Sequence, residues 1–338
     1  MFRFLNALFN PSTDPDAAQR QSLIQAAIER AIEGTDTRLR ALAGYQKKLQ
    51  APIEQAVDYV VALVESIPES VELSAASFGA NPLIRAMFCS VEHLHEVLGQ
   101  MRGLRDYRGA HRGEDIHALL VVRKEERSVL GMALEGDTLR RDVLQTSVNF
   151  TSHRCIGLAA SEPDTRWNLK KRAFDYLVGK ALARLVEVKR GKGELERQRL
   201  LLQRKLDAMR AGEWGLETFM ANYGHCTCDV YSLEAEIDAI EAELGQCRGE
   251  NLGLEESLGH IRAVLGDPRP WLDLRSLALS LDHRGIRAEE RDNESRRLEF
   301  TELCSQDGER LIILLVRIPA GELPDSGDFL SKASYYLS

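Results

Sequence analysis

Leu233, Ile237, Ile240, Leu244, Cys247, Asn251, Leu254, Leu258, Ile261 and Leu265 advance by alternating steps of four and three residues. That spacing winds a narrow apolar stripe along one helix and constrains the chain to a coiled-coil seam. Asn251 is its one polar member, and a lone seam asparagine fixes register or partner number at some cost in stability. A looser heptad precedes it, with Val188, Leu195, Leu202 and Met209 seven apart and Gly179, Gly191 and Gly193 inside it.

Charge relates the two stretches. Residues 163–210 hold 14 Lys and Arg against 6 Asp and Glu, whereas residues 229–267 hold 2 Arg against 10 Asp and Glu. One helix is basic and the other acidic, and Gly212, Gly215 and Gly224 lie between them. The pattern predicts an antiparallel helical hairpin, its longer helix roughly 60–70 Å at 1.5 Å per residue.

Strand periodicity flanks this arm on both sides. "IHALLVVRKE", "RSVLGMALEGD" and "DVLQTSVNFTSH" read as a meander of three strands before it. In the last of these, Leu144, Thr146, Val148 and Phe150 share one face. After "GDPRPW", whose prolines end a helix, "LRSLALSLDHRGI", "RRLEFTELC" and "ERLIILLVRIP" read as strands, with Asp307-Gly308 as a hairpin turn. "LIILLV" is apolar at every position and predicts a central strand covered on both faces.

The expected fold class is α+β. N-terminal helices pack on an antiparallel β body, and a long antiparallel coiled-coil hairpin is inserted between two sets of strands. The expected divisions are 1–11, an amphipathic N-terminal segment; 12–110, a helical region; 111–162, a first β-meander; 163–267, the coiled-coil arm; and 268–338, a second β-meander completing the body.

Composition narrows the function classes. The 338 residues are 44% hydrophobic and 28% charged, the balance of a folded chain, and the net charge of −8 argues against a dedicated nucleic-acid binder. No apolar run reaches the length needed to span a bilayer. "MFRFLNALFNP" is too short for a signal peptide and lacks a small-residue cleavage site, so the expected location is the cytoplasm. The six cysteines are scattered, not packed into a disulfide framework. On a helical wheel Phe2, Phe4, Leu5, Leu8 and Phe9 share one arc with Met1, and Pro11 ends the segment. It reads as a short helix docked on a core or a partner, with a membrane-peripheral location as the alternative.

Three clusters invite chemistry. "GHCTCD" places His225, Cys226, Cys228 and Asp229 near the turn of the arm. A structural zinc site needs four ligands, usually two spaced pairs, and neighbouring residues rarely wrap one ion, so an idle tip is the preferred reading. Cys89 and His93 stand one helical turn apart while His95 points elsewhere, an incomplete ligand set. The basic run "RWNLKKR" at 166–172 reads as a solvated helix face opposite acidic residues. Walker, dinucleotide, Gly-x-Ser-x-Gly and His-Glu-x-x-His signatures are absent.

The sequence therefore predicts a non-enzymatic interaction or scaffold protein acting through the coiled-coil arm, without cofactor or metal. A protein partner or self-association is expected through the seam. The alternatives are a membrane-peripheral tether held by the N-terminal segment, and an enzyme whose site in the β body is assembled from distant residues.

Overall fold

A computed structural model describes residues 17–135, 138–188, 198–204, 206, 234–235, 237–240, 253–282, 284–287 and 296–322. The chain is α+β. Contacts divide it into two units: one gathers Met1–Ser66, Trp167–Asp273 and Ser305–Glu309, the other Ile67–Arg166, Leu274–Cys304 and Arg310–Ser338.

The first unit is helical. Its elements are α1 (Ala17–Gly34), α2 (Tyr45–Glu65), α7 (Glu162–Val188, whose first turn belongs to the other unit) and α8 (Leu254–Gly266). In α1, Leu23, Ile24, Ala27, Ile28, Ala31 and Ile32 are buried, the i, i+3, i+4 stripe of an amphipathic helix. Burying such a side chain contributes about 1.5–3 kcal/mol. α7 differs, because seven consecutive residues from Ala173 to Gly179 are buried, so this helix is enclosed all round. A polar residue there needs a partner. Asp175 accepts from both Nε and Nη2 of Arg30 on α1, the latter at 2.6 Å. Lys170, also buried, pairs with Glu65 at 2.5 Å.

The second unit is a sheet with short helices on it. The helices are α3 (Ala75–Ala80), α4 (Pro82–Met87), α5 (Val91–Gln100) and α6 (Arg102–Ala110). The strands are β1 (Val71–Glu72), β2 (Ile116–Glu135), β3 (Thr138–Ala159), β4 (Asp273–Leu281), β5 (Arg296–Cys304) and β6 (Arg310–Ile318). Their order is β3-β2-β6-β5-β4, and β1 adds a short parallel bridge to β6. As the apolar run requires, β6 is central and Leu311 to Val316 are all buried.

The sheet is strongly curved. β2 and β6 separate β3 from β5, which in a flat sheet sets them about 14 Å apart. Yet the rings of Phe150 on β3 and Phe300 on β5 lie 5.2 Å apart between centroids, and α4 touches both strands. The segment after β4 completes the curve. Val148 N–H donates to Gly285 O and Arg287 N–H to Thr146 O, each at 2.8 Å. Gly285 has φ +76 and a Cβ there would meet Val148 O at 3.0 Å, so this junction requires glycine. Inside the curve Leu120, Val122, Leu298, Ile312 and Leu314 form one core with Leu94 and Leu98 of α5 and Phe88 beside α4.

Two differences from expectation have physical reasons. Ile116–Glu135, read as parts of two strands with a turn between them, form one continuous strand, because the charges at Arg123–Arg127 mark passage into solvent without a turn. Of the N-terminal helices expected on the sheet, α3–α6 share its core, while α1 and α2 belong to the helical unit. The expected coiled-coil hairpin at 163–267 lies largely outside the described residues between Val188 and Gly253.

Candidate interaction site on the β2–β3 ribbon

β2 pairs with β6 only from Ile116 to Val122, but with β3 along its whole length. From Arg123 to Glu135 the hairpin is thus a ribbon of about 40 Å at 3.4 Å per residue, two-stranded except where residues 285–287 adjoin Thr146–Val148 of β3. The twist of the whole β2–β3 hairpin is built in by three bulges, each placing one extra β3 residue opposite β2. Each bulge contains a left-handed residue: Gly157 at φ 64, Ser152 at φ 55 and Asp142 at φ 61.

The ribbon has two chemical zones. The first is charged and internally satisfied. Lys124 meets Glu126 at 2.9 Å and Arg127 meets Glu125 at 2.8 Å, with Arg287 3.6 Å from Glu126. Donation from the Thr151 hydroxyl and from Arg127 holds the Glu125 carboxyl below its usual range, and Lys124 does the same for Glu126. The second zone, Ser128–Leu134, carries no charge. There Leu130 and Leu144 face each other in register and are 70% and 71% exposed. With Val129 they are three of the four exposed large hydrophobics among the described residues.

A depression of about 600 Å³ adjoins this zone, lined by Val129, Gly131, Arg141, Gln145 and Ile286 among others. The Gln145 amide lies across Gly131, where a Cβ would meet Oε1 at 2.0 Å. Arg284 is held at its rim by Asp282, at 3.2 Å. The lining joins exposed apolar side chains to the charges of Arg141, Asp142 and Arg284.

The histidines gather elsewhere and serve the fold. His153, in the bulge opposite Val122, donates its Nε2 hydrogen to Met87 O at 2.8 Å and stacks on Phe88 at 4.6 Å. Burial presses its pKa down to about 4, so the ring is neutral. His93 meets it edge-on at 5.9 Å and accepts the Cys89 N–H through Nδ1 at 3.2 Å, capping the start of α5. His95 instead pairs with Glu322 at 2.7 Å. Cys89 and His93, read as an incomplete ligand set, are joined by this backbone hydrogen bond, and sequence reasoning missed His153 because it arrives from a distant strand. Among the described residues no three His, Cys, Asp or Glu side chains are grouped to hold a metal ion. Burial pushes the Cys155 thiol up to about 12, whereas Cys89 is exposed.

The other expected site residues divide between the described residues and the rest. Ile237, Ile240, Leu258, Ile261 and Leu265 are buried, and Leu254 is partly so. α8, which carries the last four seam positions, packs against α2. Leu233, Leu244, Cys247 and Asn251 lie outside the described residues, as do His225, Cys226, Cys228 and Asp229. So do Phe2, Phe4, Leu5, Leu8 and Phe9. The basic run 166–172 is a structural element, not the solvated face expected. Arg166 donates to Ile67 O and pairs with Glu162, and Lys170 is buried against Glu65. No described helix is long and apolar enough to cross a membrane.

Leu130 and Leu144 were missed by the sequence reading. The available signal was a charge-free stretch of β2 bracketed by Arg127 and Glu135. Compared with family models, with curated proteins and with solved structures, the chain matches none.

Proposed function

We propose that this chain is a non-enzymatic interaction or scaffold protein, and that the β2–β3 ribbon is a docking element alongside the coiled-coil arm. The observation carrying this reading is the exposed Leu130–Leu144 pair on a ribbon whose charges at Lys124–Arg127 are paired with one another. Apolar side chains clustered on an extended element, next to a depression lined by Arg141, Asp142 and Arg284, suit a protein surface better than a small polar substrate. The rest of the described chemistry is structural: Asp175 serves Arg30, Lys170 serves Glu65, and His153 serves the end of α4.

Affinity capture of the full chain from its own cells tests the proposal, comparing it with a Leu130→Lys/Leu144→Lys variant. Both side chains are mostly exposed, so the variant is expected to fold normally. A stoichiometric protein held by the native chain and lost from the variant is the expected result. An unchanged set of captured proteins would overturn the assignment of docking to the ribbon.

A further inference from the structure

We propose that the outer edge of β2 pairs with the same edge of a second copy of this chain, antiparallel and two-fold symmetric about Gly131. The inference deepens the docking reading of the ribbon and rests on it. Beyond Val122 this edge has no strand beside it among the described residues. A free edge presents a row of unpaired N–H and C=O groups, and folded proteins guard such edges with charge. Here the guard is uneven. Arg123, Lys124, Glu125, Glu126 and Arg127 protect the first part, and nothing charged occurs from Ser128 to Leu134.

The unguarded stretch is complementary to itself. With the axis at Gly131, Arg127 falls opposite the partner's Glu135, Ser128 opposite the partner's Leu134, Val129 opposite the partner's Ala133 and Leu130 opposite the partner's Met132. Symmetry gives the cationic–anionic match twice, once at each end of the uncharged stretch. Moving the axis one residue toward the sheet, to Leu130, sets Glu125 opposite the partner's Glu135, like charge on like, so charge selects the register. Pairing stops at Glu135 because the hairpin connection follows.

Backbone geometry permits the match. The bulge between Gly131 and Ala133 puts its extra residue on β3, at Arg141–Asp142, so β2 keeps one residue per position along its outer edge. Leu130 and Leu144 share a face, and residues directly opposite across a new pair share it too.

Sedimentation of purified full-length chain over a broad concentration series tests the proposal. The expected result is a monomer–dimer equilibrium. Arg127→Glu should weaken it about tenfold, since two attractive pairs become repulsive. Arg127→Glu with Glu135→Arg should restore it. Ser128→Lys, at an exposed position, supplies a second disruption should Arg127→Glu disturb folding. A native chain monomeric throughout, or a dimer indifferent to both disruptions, would overturn the edge-to-edge assignment. A monomer that still captures a partner through Leu130 and Leu144 overturns the dimer and leaves the docking reading standing.

Discussion

The two halves of the β2–β3 hairpin are continuous in backbone yet opposite in circumstance. From Ile116 to Val122, β2 has neighbours on both edges and its residues are nearly all buried. From Arg123 onward it keeps one neighbour and turns polar, then apolar and exposed. Leu144 and Phe150 lie on the same face of β3, and one is 71% exposed while the other is 7% exposed. The difference teaches that side-chain alternation fixes which face a residue takes, while the presence of adjoining strands decides whether that face is core.

Truncation at the inner end should break the comparison most sharply. Phe300, 3% exposed, fills the curve against Phe150. Phe300→Ala should cost about 3–5 kcal/mol, because it removes transfer energy and leaves a cavity across the sheet. Chemical denaturation measures this directly. A loss below about 1 kcal/mol would mean that the sheet opens without penalty and that the ring contact is incidental.

His153 sharpens the comparison at the join between the halves. Its ordinary pKa is near 6.5, and burial brings it to about 4 in the fold. Between those values the unfolded chain holds a proton that the folded chain refuses. The stability that depends on neutral His153 is therefore fully present above about pH 6.5, and it is lost as pH falls toward 4. The contribution is up to about 3 kcal/mol. His153→Gln keeps a donor for Met87 O but does not titrate. Unfolding at pH 7 and pH 4.5 should show the native chain losing about 2 kcal/mol more than this variant. Equal losses in the two proteins would remove the linkage.

The fold was legible where one element carries its whole reason in its own side chains. Leu311–Val316 are apolar at every position, which requires cover on both faces, and β6 is central. α1 announced itself through Leu23, Ile24, Ala27, Ile28 and Ile32. What could not be read were features set by neighbours. The charged break at Glu126, between the two stretches read as strands, read as a turn because a turn and a solvent-exposed ribbon are equally polar. Lys170 read as a surface charge because Glu65 is distant in sequence. The candidate site was illegible for the same reason: Leu130 and Leu144 look like core residues until the strand beside them ends.

The bulges give a smaller effect. Gly157 sits at φ 64, a conformation that costs a residue with a Cβ about 1–2 kcal/mol. Gly157→Ala should destabilise by that amount. Ser152→Gly, at φ 55, should relieve the same strain but gain chain entropy in the unfolded state, for a net stabilisation of about 0.5 kcal/mol. Opposite signs from two substitutions on one strand would tie the twist of the ribbon to its left-handed residues. Equal signs would show that these sites relax around their side chains.

The smallest expected effect is the one that separates folding from function. Leu144→Ala removes as many methyl groups as a core leucine truncation, yet its side chain is 71% exposed and faces Leu130, itself 70% exposed. Little apolar surface leaves water there on folding, so the change should lie within about 0.5 kcal/mol of zero. Leu120→Ala, at 1% exposure on the inner half, should cost about 2–5 kcal/mol for the same chemistry. Folding stability thus supplies no reason for leucine at 144. If Leu144→Ala is silent in denaturation but weakens capture of a partner, the exposed pair is held for docking. A cost near that of Leu120 would show the outer ribbon to be covered in the folded protein and would remove it as a surface for partners.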